Sequence, residues 1–402
     1  MKFPALTKLV LVAMISVATA TAAEIKVGAL YPFSGPLALL GDESYRGLEL
    51  AVEEANAGDG INGNKIKVIK ADAVDANQAV GEARKLTSVE NVSVVFGSYS
   101  SALSFAATQV TELAGVPYFE LGAVSDPITS RGYKYVFRSN PTARNLAEGT
   151  VDAVVNVIAP ALKVDPKSLK IAIIHEDTLY GTTVGGFQKE YVKKHGLNVV
   201  ETLPYSAKAV DLSSLILRLK GAQADVVLQT SYQNDTVLFF RQIKEAGFTP
   251  KAIVGAGGGY SLQDTLKAVG AANIEGAFDV DFTQYETNET GAPGIKAFVE
   301  LYKKKYAAEP RSGHSLANYV GARVFFDAMR KARSLDKDKI RAAVLAYQVP
   351  LGSTATGWGV KFGEDGQNTL AKPSLMQWQG GKLVTVFPAS AAVAQPKVAP
   401  SK

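Results

Sequence analysis

The sequence predicts an α/β protein made of two doubly wound, parallel-sheet lobes. Three observations carry this. Short apolar runs alternate with longer helical patterns along the chain. Several runs are apolar at consecutive positions, as strands are when both sheet faces are covered. There are also too many such units for one ordinary sheet.

Residues 1–23 stand outside this pattern. Lys2 and Lys8 make a basic start, Leu9–Val17 is an apolar run, and small residues lead to Thr21, Ala22 and Ala23. This is the order of a secretory signal peptide, with cleavage expected just before Glu24 or one residue earlier. The run is shorter than the ~20 apolar residues a membrane span needs. A buried core helix is the alternative reading, but nothing in the run alternates with polar residues.

The expected strands are Ile25–Leu30, Ile66–Lys70, Val92–Phe96, Pro117–Leu121, Ile171–His175, Val199–Leu203, Val226–Gln229 and Ala252–Gly255. Helical patterns fall between them at Leu40–Ala57, Asn77–Glu90, Ala102–Ala114, Thr182–His195, Leu212–Gly221 and Thr236–Gly247. Gly196 and Gly247 sit where helices stop. A break falls near Asn140 and Pro141, because a proline disfavours helix before it, and a second run of units starts at Lys170. From about Pro293 the chain turns helical, with Ile295–Tyr306 and Ser315–Arg333 as the longest patterns. The chain therefore crosses between the lobes more than once. The Ala/Pro-rich end, residues 389–402, reads as a disordered tail.

Composition narrows the function classes. The chain has no cysteine, so it has neither disulfides nor the N-terminal cysteine of a bacterial lipid anchor. With an export signal this fits a protein free in the periplasm. The net charge is +5, and setting aside the two leader lysines leaves +3, scattered without a dominant basic run. That gives no footprint for nucleic acid. No later segment is apolar enough to span a membrane.

In an open parallel α/β sheet, ligands bind beyond the carboxyl ends of the strands. The turns there carry small residues, hydroxyls and tyrosines: Tyr31–Pro36 after the first strand, Gly97–Ser101 after the third, Gly122–Asp126 after the fourth, and Glu176–Gly181, Thr230–Asp235 and Gly257–Tyr260 in the second lobe. Turn chemistry alone explains the glycines. The clustering of tyrosine and serine points to a pocket. Ser100 and Ser101 precede a helix, where they can cap it or help its free N–H groups attract an anion. Tyr180 and Tyr232 each offer an aromatic wall and a hydroxyl, or a tyrosine that binds nothing.

Other chemistries find no support. The stretch from Gly255 to Gly259 begins like a dinucleotide loop, but Tyr260 stands where the last glycine belongs. There is no phosphate-binding GxxxxGK[ST] loop and no G-x-S-x-G elbow. His175, His195 and His314 lack metal-ligand spacing. His175, Glu176 and Asp177 could suggest acid/base work, but the two acids fit better as caps of the following helix. No cofactor or metal is expected.

The segment IKVGALYPFSGPLALLGDESYRGLELAVEEANAGDGING resembles the opening of the branched-chain amino acid-binding proteins of ABC transporters. So do VVFGSYSS, VPYFELGAVSDPITSRGYKYVFRSNP, HEDTLYGTTVGGF and VVLQTSYQNDTVLFFRQIKEAGF, in the family's order from about Glu24 to about Pro388. The resemblance implies a type I periplasmic-binding-protein fold, with three hinge crossovers joining the lobes. The expected division is residues 24–141 with 281–357 in one lobe and 142–280 with 358–388 in the other. It implies a monomeric, non-enzymatic carrier that closes on a small ligand and meets an ABC permease and its ATPase.

By the same resemblance Ser101 takes the ligand carboxylate, with Ser100 beside it. The turn at Gly122, Ala123 and Val124 contributes backbone but lacks the family's hydroxyl, for which Ser125 is the nearest substitute. Tyr180 and Tyr232 match two family tyrosines. Gly257 stands where the amino-acid binders carry an acid for the ligand's ammonium group. Glu120, Asp177, Asp235 and Asp281 are candidate replacements, with Asp177 and Glu120 nearest to the mapped turns. A ligand without an ammonium, such as an aromatic or short carboxylate or an amide, is the other solution. A ligand-sensing receptor domain of the same fold and a secreted hydrolase or amidase are alternative functions.

Overall fold

A strand covered on both faces can be apolar at nearly every position, and β1 (Glu24–Tyr31) is built this way. Val27, Ala29 and Tyr31 join the core on one face, whereas Leu30 joins the core on the other. The computed structural model describes residues 24–398, so the expected leader lies outside the described residues. The chain continues through α1 (Ala38–Ala57), β2 (Lys65–Asp72), α2 (Ala76–Ser88), β3 (Val94–Gly97), α3 (Ser101–Ala114), β4 (Tyr118–Glu120) and β5 (Val136–Arg138). These strands form one parallel sheet, in the order β2-β1-β3-β4-β5.

After β5 the chain crosses to the second lobe. There it forms α4 (Ala143–Ala153), α5 (Ala159–Leu162), β6 (Lys170–Glu176), α6 (Leu179–Lys194), β7 (Asn198–Tyr205), α7 (Ser213–Gly221), β8 (Val226–Thr230) and α8 (Gln233–Glu245). Next come β9 (Ala252–Gly255), the short helices α9 (Gly258–Ser261), α10 (Gln263–Val269) and α11 (Ala271–Ile274), and β10 (Phe278–Asp281). The chain then returns to the first lobe for α12 (Ile295–Tyr306), α13 (His314–Ala332), α14 (Lys337–Leu345) and the small ladder of β11 (Gln348–Val349) and β12 (Val360–Lys361). A last crossing leads to the hairpin β13 (Ser374–Gln379) and β14 (Lys382–Phe387). The second sheet runs β14-β13-β10-β9-β8-β6-β7, parallel except for the two hairpin strands at one edge. Two lobes, each with helices on both sheet faces and joined by three crossings, make the type I periplasmic-binding architecture.

The first lobe is held by aromatic packing. Phe119 stacks on Phe325 of α13 with ring centroids 4.1 Å apart and planes 5° from parallel, and Phe96 meets Phe326 at 5.4 Å. Helices α1 and α13 touch backbone to backbone at Gly47, where a Cβ would stand 1.9 Å from the Ser315 carbonyl oxygen. In the second lobe Ile171, Ile173 and Val226 pack toward α4 and α6, and Ala172, Ile174 and Val227 pack toward α7 and α8.

Two boundaries differ from expectation. Residues 358–372 stay largely with the first lobe: Val360 and Phe362 join its core, the Arg138 amide donates to the Gly366 carbonyl, and Asn368 Nδ2 donates to the Ser139 carbonyl. The crossing expected after residue 357 comes only on the approach to Ser374. The expected disordered tail is ordered as far as residue 398. The Val393 amide donates to the Thr385 carbonyl, and Gln377 exchanges two hydrogen bonds with the Lys397 backbone. Residues 399–402 lie outside the described residues.

Candidate functional site

The carboxyl ends of both sheets face one another across a cleft that is drawn almost shut, with a cavity of about 20 Å³. That is room for about one water molecule. The first lobe contributes Leu40, Tyr99, Gly122, Val124 and His314 to its wall. The second contributes Leu146, Tyr180, Tyr232, Gly257, Gly258 and Asp281. A larger groove of about 670 Å³ lies where the crossing segments run, beside Thr283, Trp358 and Lys372. None of the sequence-predicted residues lines it, so the chemistry assigns the site to the smaller cavity.

Direct contacts hold the lobes together around the cleft. Ser125 Oγ donates to the Leu179 carbonyl at 3.1 Å, and the Gln263 amide donates to the Arg311 carbonyl at 3.0 Å. The Tyr99 ring meets Tyr232 edge-on at 6.3 Å, and Leu40, Tyr99 and Leu262 form a small apolar cluster spanning both lobes. Ser125 is therefore a clasp between lobes, and its hydroxyl is already committed.

Of the predicted residues, Gly122, Val124, Tyr180, Tyr232 and Gly257 line the cavity, whereas Ser100 and Ser101, at the start of α3, stand behind it. Ser101 opens α3, and its Oγ accepts the Ser125 amide at 3.2 Å. Ser100 lies beside the Tyr232 hydroxyl, and its side chain makes no capping bond to α3. The Tyr180 and Tyr232 rings pack 5.1 Å apart, and the Tyr180 hydroxyl donates to the Ala256 carbonyl. Burial pushes both tyrosine hydroxyls well above their ordinary range, so they act as neutral donors. Gly257 takes φ +99°, and its amide donates to Asp279 Oδ1 at 3.1 Å. A Cβ there would lie 2.7 Å from the Tyr180 hydroxyl oxygen, so no side chain fits without a shift.

The β4 loop differs from expectation. Gly122 and Val124 line the cavity, but Ala123 does not. The amides of Gly122 and Ala123 donate to Glu120 Oε1 at 2.8 and 2.6 Å and so turn away from the cleft. Glu120 is fully buried beneath the loops; it also accepts the Ser98 amide at 3.2 Å and the Ser104 hydroxyl. Burial pushes its carboxyl up, while Ala123, Ser104 and Gly122 pull it down by hydrogen bonding. Glu120 is a loop pin and no ammonium partner. Asp177 fails as one too: it is exposed and accepts the Ala207 amide at 2.9 Å. Capping of α6 falls to Glu176 alone, which accepts the Thr178 amide at 2.6 Å and the Gly181 amide.

The sequence pointed only weakly to Tyr99, Asp281 and His314. Asp281 is 1 % exposed at the end of β10, and His314 Nδ1 lies 3.9 Å from its Oδ2. Burial pushes the Asp281 carboxyl up, with His314 pulling it back, and burial pushes the His314 imidazole down, toward its neutral form. Among the described residues no group of three or more His, Cys, Asp or Glu side chains could hold a metal ion, and no helix is long and apolar enough to cross a membrane.

The Periplasmic binding protein family profile matches residues 24–382. The chain belongs to this family. It is 55% identical over 380 residues to the Leu/Ile/Val-binding protein homolog 8 of Brucella abortus (strain 2308), covering 94% of each chain. It is 56% identical over 383 residues to the Leu/Ile/Val-binding protein homolog 7 of Brucella suis biovar 1 (strain 1330), covering 95% of this chain and 96% of that one. Among solved structures, the leucine binding protein LivK of Thermotoga maritima superposes with TM-score 0.79 at 21% identity, covering 90% of this binding protein and 97% of that chain. LivJ of Streptococcus pneumoniae, in complex with isoleucine, gives TM-score 0.78 at 23% identity and covers 93% and 100%. A solute binding protein of an ABC transporter from Rhodopseudomonas palustris, in complex with 3,4-dihydroxybenzoic acid, gives 0.77 at 23% and covers 93% and 99%. These structures share the fold.

Proposed function

We propose that this chain is the solute-binding component of an ABC importer, and that it captures an amino acid or a related small carboxylate or amide by closure of its two lobes. The observation that carries this reading is the cavity walled from both sheets, with Val124 of one lobe facing Tyr180 and Tyr232 of the other. Such a ligand touches both lobes only when they are together, so it favours closure by its differential affinity for that form. Ser101 at the start of α3 takes the carboxylate, aided by the positive end of the helix. Tyr180 and Tyr232 cover the opposite side and exclude water. The names of the Brucella relatives, more than half identical to this chain, support a branched-chain amino acid as the first ligand to test.

In this reading the leader is removed and the protein works as a periplasmic monomer. It presents its closed surface to a permease with an ATPase partner, and it makes and breaks no bond. Residues 24–141 with about 285–370 move as one lobe, and 142–282 with about 374–398 move as the other. A thermal-shift screen over amino acids, aromatic acids, short carboxylates and amides tests the proposal. A ligand at 100 times its Kd should add about 2.7 kcal/mol of stability. No shift with any of these classes would overturn it.

A further inference from the structure

The groove of about 670 Å³ beside the crossing segments shares no lining residue with the cleft. Its size falls within the roughly 300–1,000 Å³ of sites that hold drug-sized molecules. Both lobes wall it: α4 of the second lobe contributes Glu148 and Asp152, and Leu351, just after β11, comes from the first. Most of the wall is apolar. Leu351 and Phe387 hold large side chains 64 % and 58 % exposed on its rim, and Val280 and Leu375 lie buried beneath them. An apolar surface of this kind, rimmed by polar side chains, is characteristic of a binding groove.

Two polar features of the groove lack partners. Trp358 lines it at 5 % exposure, and its indole Nε1 has no hydrogen-bond partner among the described residues. A buried donor left unpaired is costly, and an acceptor on a ligand relieves that cost. Glu148 and Asp152 are both half-buried and stand one turn apart on the same face of α4, where like charges repel. Neither forms an ion pair or accepts a hydrogen bond among the described residues, although Lys372 lines the same groove. A cation between the two acids removes their repulsion, and the face of the Trp358 indole attracts a cation as well.

We infer that this groove is a second ligand site, for a small organic cation with an aromatic body and an oxygen acceptor. The ammonium group sits between Glu148 and Asp152, and the ring lies against the apolar wall beside Trp358. An organic anion meets two like charges there, and a purely apolar molecule leaves both the acids and the indole unpaired. The inference goes beyond the import reading and does not depend on it, because the molecule sits at the junction of the lobes and leaves the cleft free.

The test is fluorine NMR of the mature protein labelled with 5-fluorotryptophan. The chain has two tryptophans, so two resonances are expected, and Trp358→Phe tells them apart. Trp378, sealed in the second-lobe core, is the internal control. The probe is 2-(4-methoxyphenyl)ethylamine, beside its neutral counterpart 2-(4-methoxyphenyl)ethanol. The amine should move the Trp358 resonance saturably and leave that of Trp378 in place. The alcohol should bind about tenfold more weakly, the loss typical when a hydrogen bond to a charged group is removed. Glu148→Gln combined with Asp152→Asn should bring the two probes to near-equal affinity, and because it removes a repulsion it should melt no lower than wild type. The inference is overturned if the amine leaves the Trp358 resonance unmoved, if the alcohol binds as tightly as the amine, or if the double variant holds the amine within about threefold of wild type. The thermal-shift screen for the cleft ligand decides the import reading separately.

Discussion

Replacing Glu120 separates a structural acid from a ligand-binding one. Its Oε1 is the acceptor for the amides of Gly122 and Ala123, which have no other partner among the described residues. The Leu121 amide has a second acceptor, the Gly97 carbonyl at 3.0 Å, and is not stranded by the change. Glu120→Ala therefore orphans the two buried amides at roughly 2 kcal/mol each and also removes the long, 3.5 Å acceptor of the Tyr99 amide, giving at least about 4 kcal/mol of destabilisation. Glu120→Gln is milder, since the amide oxygen can occupy the Oε1 position while its NH₂ donates to Ser104 Oγ. Its cost is the repulsion between that NH₂ and the Ser98 amide, about 1 kcal/mol. Urea unfolding at pH 7 with linear extrapolation resolves both values. An alanine variant within about 1 kcal/mol of wild type, or a glutamine variant as costly as the alanine one, would refute the loop-pin assignment. A glutamine variant of normal stability that lost all ligand affinity would restore Glu120 as an ammonium partner.

Ser101→Ala should weaken a carboxylate ligand about tenfold and, because it strands the buried Ser125 amide, should also cost about 1–3 kcal/mol of stability; calorimetry and urea unfolding together check this. Phe325→Ala removes the ring stacked on Phe119 in a fully buried site and should cost about 3–5 kcal/mol by chemical denaturation. Asp235 is pushed up from 3.8 to about 7 by burial, against the pull of the Tyr205 hydroxyl at 2.6 Å. Because the folded value is the higher one, its contribution is fully present below about pH 4 and is lost as pH rises through about 7, by up to about 4 kcal/mol. Asp235→Asn should flatten the fall in melting temperature between pH 4 and 7, and an unchanged slope would contradict the assignment.

Legibility in the sequence followed burial. Strands such as Ile171–His175 and Val226–Gln229 are covered on both faces, so their apolar runs were plain. Three-residue β5 carries too little pattern to stand out, and β10 was hidden because Asp279 and Asp281 interrupt its apolar run. The hairpin β13–β14 announces its turn only by Gly380 and Gly381, and its alternation is diluted by Gln377 and Gln379. The tail looked disordered by composition, yet Gln377 and Thr385 on the edge strands give its backbone partners. At the site, Ser101, Tyr180, Tyr232 and Gly257 were visible because each follows a strand end. The role of an acid was not, because the sequence states its presence but not its hydrogen-bond partners. On paper Glu120 and Asp177 stood nearer to the mapped turns than Asp281, yet backbone amides absorb both.

The sequence alone determined the alternation of strand and helix, the number of lobes and the loops that could meet a ligand, because these depend on local periodicity and on residue types at strand ends. The tertiary structure decided where the last crossing falls, which serine clasps the lobes, and which buried carboxylate faces the cleft. Those outcomes depend on which groups from distant parts of the chain reach each other's hydrogen-bond donors, and residue identity does not specify that pairing.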